Sequence, residues 1–373
     1  MKKVIVAGHT CVDITPAITQ SKVERVEEFL TPGQLVNVGN AKIATGGAVP
    51  NTGLAMKVLG ADAYLMGKIG KDAFGTIVYD IFAKYGAQQG LLIDEQVDTS
   101  YTIVLAIPGL DRMFLHYPGA NETFCAEDVP EEGLKEAALF HFGYPPLLKR
   151  MYLNDGEELI RLLTRVMEAG AAVSLDLAAV DETSEAGKAD WRKILERTLP
   201  LTDFFVPSVE ELCYMLDPER LAEWKERAGN ADITSVLDVE KDIRPLADEC
   251  MRLGVKVLLI KCGAPGMYYR TAEKEVLDTI SERLELDTAA WGSKEGFEKS
   301  FVPDRLRSAT GAGDTSIAAF LTSMLNGETP ETCVQLAAGT GACCVTEYDS
   351  LSGLKPLEEL KERIRLGWKK VGE

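Results

Sequence analysis

Asp314 follows three small residues, Gly311, Ala312 and Gly313, in the stretch RSATGAGDTSIAAFL (307–321). Beyond it apolar residues return at helical spacing, at Ile317, Phe320, Leu321, Met324 and Leu325, and Asn326-Gly327 supplies a stop. A loop of nearly bare backbone therefore runs into a helix start that carries a carboxylate. Two chemistries fit. Asp is a preferred N-cap and Gly permits the tight turn before a helix, so the pair can be a cap and nothing more. Alternatively, the unpaired amides of Gly311, Ala312 and Gly313, aided by the helix dipole, form an anion hole suited to a phosphate. Asp314 beside it is then a proton acceptor for phosphoryl transfer to a hydroxyl.

Other stretches offer partners for such chemistry. TGGAVPNTG (45–53) sets Gly46 and Gly47 ahead of a helical pattern that carries Asn51. This reads as a turn with a cap, or as a place where a ligand approaches bare backbone and Asn51 offers donors and acceptors to hydroxyls. GHTCVD (8–13) puts Asp13 just after the first strand, where ligands of open α/β sheets bind, although a turn carboxylate exposed to water has the same signature. GKIGKDAFG (67–75), with Asp72, is by itself a loop entering a helix. No G-x-x-x-x-G-K-[ST], H-E-x-x-H or G-x-S-x-G occurs, and the G-x-G-x-x-G reading fails at Ser316.

The elements that must position these residues alternate along the chain. Strands are expected at KVIVAG (3–8), AYLMGKIG (63–70), ALFHFGY (138–144), AAVSLDL (171–177), DFFVPS (203–208) and VKVLLIKCG (255–263). Helices are expected at 50–60, 74–86 and 156–170, and the C-terminal third reads as mainly helical. Near-continuous apolar strands alternating with helices predict a doubly wound, mainly parallel sheet covered on both faces. Two stretches break the rhythm. TSYTIVLAIPGLDRMFLHYPG (99–119) reads as a hairpin around Pro108-Gly109, and QLVNVGNAKIATGG (34–47) is strand-like, so both are assigned to a small antiparallel flap outside the main sheet. The charged segment 273–306 carries no assignable role.

Composition narrows the partners. The 373 residues are 46% hydrophobic and 26% charged, with a net charge of −18, which argues against nucleic acid or an anionic membrane as partner. Eight cysteines without C-x-x-C spacing and three histidines argue against structural zinc, and scattered thiols suit the cytoplasm. No run reaches the roughly 18 apolar residues of a membrane helix.

Taken together and in order, Asp13, the G-G-x-x-x-N of 46–51, the G-x-x-G-x-D-x-F-G of 67–75, the P-G-A-N of 118–121 and the G-A-G-D of 311–314 resemble the ribokinase-like (PfkB) family of carbohydrate kinases over nearly the whole chain. The resemblance implies one ribokinase-like α/β domain over residues 1–373 with a β lid formed by about residues 14–45 and 96–118. It implies transfer of the γ-phosphate of ATP, with Mg2+, to a hydroxyl of a small neutral sugar. Alternatives on the same fold are a nucleoside kinase, with Tyr101, Phe114 and Tyr117 as stacking surface, a sugar-phosphate kinase, or a silent sugar-binding or regulatory homologue. Asp314 matches the family's catalytic base, and residues 311–313 its anion hole. Asp13, Gly47 and Asn51, with Gly46 beside them, match the sugar-holding positions. KCGAPG (261–266) is similar to the family's T-L-G-x-x-G near the nucleotide, implicating Lys261, Gly263 and Gly266. SVEE (208–211) is similar to N-x-x-E, implicating Ser208 at the nucleotide and Glu211 as an indirect Mg2+ contact.

The departures are specific. Lys261 stands in place of Thr, Ser208 in place of Asn, Ala48 where several relatives carry Lys, and Cys11 where ribokinase has Asn, which points away from ribose. The family also implies K+ near the anion hole. Ser308 stands where its Asp would be, so K+ is expected to bind weakly. Arg112 on the hairpin is a candidate anion contact or a solvated turn residue. The lid is also the expected surface for a homodimer.

Overall fold

The computed structural model describes residues 2–20, 22–110 and 113–373. Arg112 lies outside the described residues. Strands run, in chain order, as β1 (Lys3–Gly8), β2 (Cys11–Pro16), β3 (Ala41–Gly46), β4 (Asp62–Met66), β5 (Lys68–Gly70), β6 (Leu92–Asp94), β7 (Tyr101–Leu105), β8 (Met113–Tyr117), β9 (Leu139–Gly143), β10 (Ala172–Leu175), β11 (Phe204–Phe205), β12 (Val257–Lys261), β13 (Gly266–Thr271) and β14 (Glu295–Lys299).

Eight of them form the main sheet, in the order β14-β13-β12-β11-β10-β9-β1-β4. From β4 to β12 all neighbours are parallel; β13 and β14 add an antiparallel edge. The apolar runs explain the parallel part. Successive side chains of a strand point to opposite faces, so a strand covered on both faces must be apolar throughout. Ile5 and Ala7 of β1 join Phe140 and Phe142 of β9 in one core layer, while Val4, Val6 and Leu139 enter the other. The helix Glu157–Glu168 covers the first layer with Leu159, Leu162, Leu163 and Val166, spaced for one helical face. Helices Ala312–Leu325 and Pro330–Cys344 belong to the other side. They are buried almost all round, which is why their sequences are small and apolar rather than amphipathic.

The mainly helical reading of the C-terminal third misses β13 and β14. EGFEK is exposed or half-buried throughout, and GMYYRT, although largely buried, carries Arg270 and Thr271, so neither shows the apolar run of a central strand. The segment 273–306 acquires a place here. Its short helices Lys274–Leu277 and Thr288–Trp291 lead to β14, and Trp291, 1% exposed, packs edge-on against Phe204 and Phe320. It anchors the edge of the sheet to the helix that carries Asp314.

β3-β2-β7-β8 form a separate four-stranded sheet. Its two outer pairs are antiparallel and are joined by a parallel pairing of β2 with β7. Only His9 and Thr10 separate β1 from β2. Asn121, of the P-G-A-N segment, fixes that crossing by accepting from the Thr10 amide at 3.1 Å and donating to the Thr10 carbonyl at 3.0 Å. Of the strand-like stretch 34–47, only Ala41–Gly46 is strand, because β2 offers it six residues to pair with. Among the described residues no helix is long and apolar enough to cross a membrane.

Candidate active site

Asp314 does not cap its helix. The N-cap of Ala312–Leu325 is Gly311, at φ 76°, and Asp314 lies within the first turn. Its carboxylate, 4% exposed, instead accepts hydrogen bonds from two distant side chains. The Tyr144 hydroxyl lies 2.8 Å from Oδ1 and 2.9 Å from Oδ2, and Asn51 Nδ2 donates to Oδ2 at 3.0 Å. Burial raises the Asp314 carboxyl above its ordinary range, while the Lys261 ammonium and the Tyr144 and Asn51 hydrogen bonds favour the charged form. The arrangement is a buried carboxylate kept competent to ionise, next to amides with little side chain around them.

Tyr144 escaped the sequence reading. It follows β9 directly, in the left-handed region at φ 66° and ψ 46°, and precedes Pro145-Pro146. A non-glycine residue there costs on the order of 1 kcal/mol or more and recurs at functional sites. The signal available in the sequence was a Tyr at the carboxyl end of a strand apolar but for His141, wedged before two prolines. Ser350 was missed as well. Its hydroxyl donates to Asn51 Oδ1 at 2.9 Å, so the Asn51 amide is gripped at both ends, by Ser350 and by Asp314. Gly311 makes room for Ser350, since a Cβ on it would fall 2.5 Å from the Ser350 Cβ.

Asp13 lies on β2, opposite Ala44 of β3. Burial pushes its carboxyl up to about 6; Cys11, whose Sγ donates to Oδ1 at 3.4 Å, and Thr102 oppose this, and the Asp314 charge adds to it. Gly46 must be small, because a Cβ would sit 2.2 Å from Asp13 Oδ2. Gly47, at φ 97°, is constrained by His9, whose carbonyl oxygen would lie 2.6 Å from an added Cβ. Asp13 and Asn51 both line a cavity of about 640 Å³ between the small sheet and the C-terminal loops, with Asn40, Ser308, Thr310 and Tyr348 on its walls. Among the described residues the cavity's two cationic side chains are already paired, Lys42 with Asp349 at 3.0 Å and Arg307 with Glu347 at 3.0 Å. Tyr101, Phe114 and Tyr117 do not line it; Tyr101 packs on Tyr117 and Phe74, and Phe114 is 59% exposed. Asp72 caps the helix Ala73–Lys84 and holds the Thr99 amide, a structural task.

The second group meets Asp314 from the carboxyl end of β12. Lys261 Nζ donates to Asp176 Oδ1 at 2.8 Å. A Cβ on Gly313 would be 3.8 Å from that Nζ. Gly263 (φ 62°) and Gly266 (φ 143°) shape the turn from β12 to β13. Ser208 and Glu211 cap the helix Val209–Leu216 reciprocally: the Ser208 amide donates to Glu211 Oε2 at 2.9 Å, and Ser208 Oγ accepts from the Glu211 amide at 3.3 Å. The Glu211 charge still reaches Asp314, Asp176 and Lys261. Asp314 thus stands between one group facing the cavity and another at the ends of the central strands.

Such an arrangement, on a doubly wound sheet with a separate small sheet over one end, defines a phosphotransferase acting on sugar hydroxyls. The chain belongs to the pfkB family of carbohydrate kinases, whose pattern it matches over residues 1–356. It is 24% identical over 348 residues to fructokinase-2 of Oryza sativa subsp. japonica, covering 88% of each protein. Among solved structures it is similar to Arabidopsis thaliana ribokinase complexed with ribose and ATP, at 20% identity, TM-score 0.68 and coverage of 97% and 98%. A ribokinase II candidate of E. coli in complex with ATP and Mg2+ is similarly related, at 20% identity, TM-score 0.69 and coverage of 98% and 100%.

Proposed function

We propose that the chain transfers the γ-phosphate of ATP to a hydroxyl of a small neutral carbohydrate, with Asp314 as general base. The observation that carries this reading is the Asp314 carboxylate, buried, fixed by Tyr144 and Asn51, and set in the first turn behind the amides of Gly311, Ala312 and Gly313. Asp314 takes the hydroxyl proton as that oxygen attacks, and the amides stabilise charge on the transferring group. Asp13 and Asn51, with Gly46 and Gly47 clearing space, orient the acceptor, which supplies rate through positioning. The small sheet serves as a lid that keeps water from the transfer. Among the described residues of the cavity Lys42 and Arg307 are ion-paired and Asp13 adds negative charge, which favours a neutral acceptor over a sugar phosphate.

The residues at the strand ends suit a nucleotide with its metal. The glycines leave backbone open to phosphate, and Glu211 offers an oxygen that Mg2+ takes through water. Gly263, Gly266 and Ser208 would hold the body of the nucleotide and Lys261 its terminal phosphate, with Glu211 acting on Mg2+ indirectly. Bound Mg2+ supplies charge neutralisation for the phosphates.

The test is Asp314→Asn, assayed over a panel of neutral sugars with calorimetry for nucleotide. Turnover should fall by about 10²-fold or more with nucleotide affinity retained. A variant keeping over roughly a tenth of kcat would remove Asp314 from the role. Ser308 lacks the charge of a carboxylate, so K+ at this loop should be weak. Activation by K+ that saturates at low millimolar concentration, at constant ionic strength, would contradict that.

A further inference from the structure

The pair formed by Lys261 and Asp176 is expensive for a fold to keep. Asp176, 0% exposed, follows β10, and its amide is tied to the Phe142 carbonyl at 3.0 Å. Only Oδ1 is satisfied, by Lys261 Nζ; Oδ2 is buried without a hydrogen-bond partner. A buried ion pair with an unsatisfied oxygen is generally less stabilising than apolar packing of the same volume. Burial alone would lower the Lys261 ammonium, yet the charges of Asp176, Glu211 and Asp314 together raise it, so it stays protonated. It also has an aim. Position 313 carries no side chain, and the Lys261 side chain lies at van der Waals distance from where one would begin, 3.4 Å for Cδ and 3.8 Å for Nζ. The ammonium therefore borders the amides that bind anions and the carboxylate that accepts the proton.

We propose that Lys261 is a catalytic residue that places its ammonium charge on the transferring phosphoryl group, and that Asp176 is the positioning residue that holds it there. This rests on the reading of Asp314 as base. In the transfer, the acceptor O–H gives its proton to Asp314 and its oxygen bonds to the γ-phosphorus. The bond from that phosphorus to the bridging oxygen breaks, and its electron pair leaves with ADP. Lys261 keeps its proton throughout and acts by charge alone.

The experiment compares Lys261→Met, Asp176→Asn and the double variant in the full chain. Lys261→Met leaves Asp176 buried and unpaired and is expected to lose stability; the double variant removes both charges and should recover it in thermal melts. If the pair were structural only, recovery of the fold would restore activity. The proposal expects the double variant to remain about 10²- to 10³-fold below wild type in kcat, as when a preorganised donor to a developing charge is removed. A binding readout accompanies this. ADP should bind the double variant within about threefold of wild type, while the gain in affinity on adding aluminium fluoride with Mg2+ is lost, since that complex imitates the transferring group. Added methylamine should restore part of the turnover of Lys261→Met. A double variant with kcat within about threefold of wild type and an undiminished aluminium fluoride gain overturns the proposal. Asp314→Asn with full turnover would instead remove the reading of the site on which it stands.

Discussion

Asp13 is an acid whose folded environment and whose task pull in opposite directions. Its carboxyl is raised from an ordinary 3.8 to about 6, chiefly by burial. A raised carboxyl binds its proton more tightly in the folded than in the unfolded chain. Its contribution to stability is thus fully present below about pH 4 and is lost as pH rises through 6. Relative to its protonated form, the ionised group at neutral pH costs the fold about 3 kcal/mol. On the proposed reading, however, acceptor hydroxyls donate to the ionised form. kcat/KM for the acceptor should rise with pH through about 6, while the melting temperature falls over the same interval. Asp13→Asn should flatten the stability trend and be more stable at pH 7, with acceptor use impaired across the range. An Asp13→Asn protein whose stability keeps the wild-type pH trend would assign that trend to another group. Asp13 could be picked out from sequence because it follows the first strand, and Asp314 because glycines frame it. Asp176 and Ser350 could not, and Tyr144 only through the two prolines after it: they reach the site from strand ends and a loop brought near only by the fold. Asn51 looked like a residue of the acceptor side alone, and the fold turns it into a link to Asp314.

β2 and β3 meet at the acceptor side of the site, and their register decides what fits. Gly46 lies opposite Cys11, and Asp13 leans into the space that a side chain at 46 would take. Gly46→Ala should displace the Asp13 carboxylate. We expect the acceptor KM to rise by about tenfold or more, the cost of a lost charged hydrogen bond, with nucleotide affinity little changed. Steady-state kinetics against each substrate checks this, and equal loss on both would mean a general distortion. β1, β9 and β12 were legible because burial on both faces demands unbroken apolar runs. The limits of β3 were not, since pairing length is set by β2 and not by the composition of 34–40. The antiparallel strands β13 and β14 were hidden by their polar positions, and the cap at Gly311 by the more familiar capping residue three positions on.

The two core layers enclose the main sheet, and the four-stranded sheet lies outside both for much of its surface. β8 has exposed Phe114, Leu115 and Tyr117, and Ile43 of β3 is 48% exposed. With so little burial, this sheet should open more readily than the centre of the molecule. Amide hydrogen exchange should be fastest in β3 and β8 and slowest in β1, β9 and β10. Acceptor plus a non-hydrolysable nucleotide should protect the small sheet most. Uniform protection over both sheets would remove its role as a lid. The placement of Asp13 has a further consequence. On the proposed reading the acceptor is met in part by the small sheet, whereas Asp314, Lys261 and the strand-end glycines belong to the main body. Taste and craft are thereby written in separate passages of the chain. A lineage could change which molecule it consumes by editing the strands around Asp13, again and again, while the machinery that performs the transfer is inherited untouched.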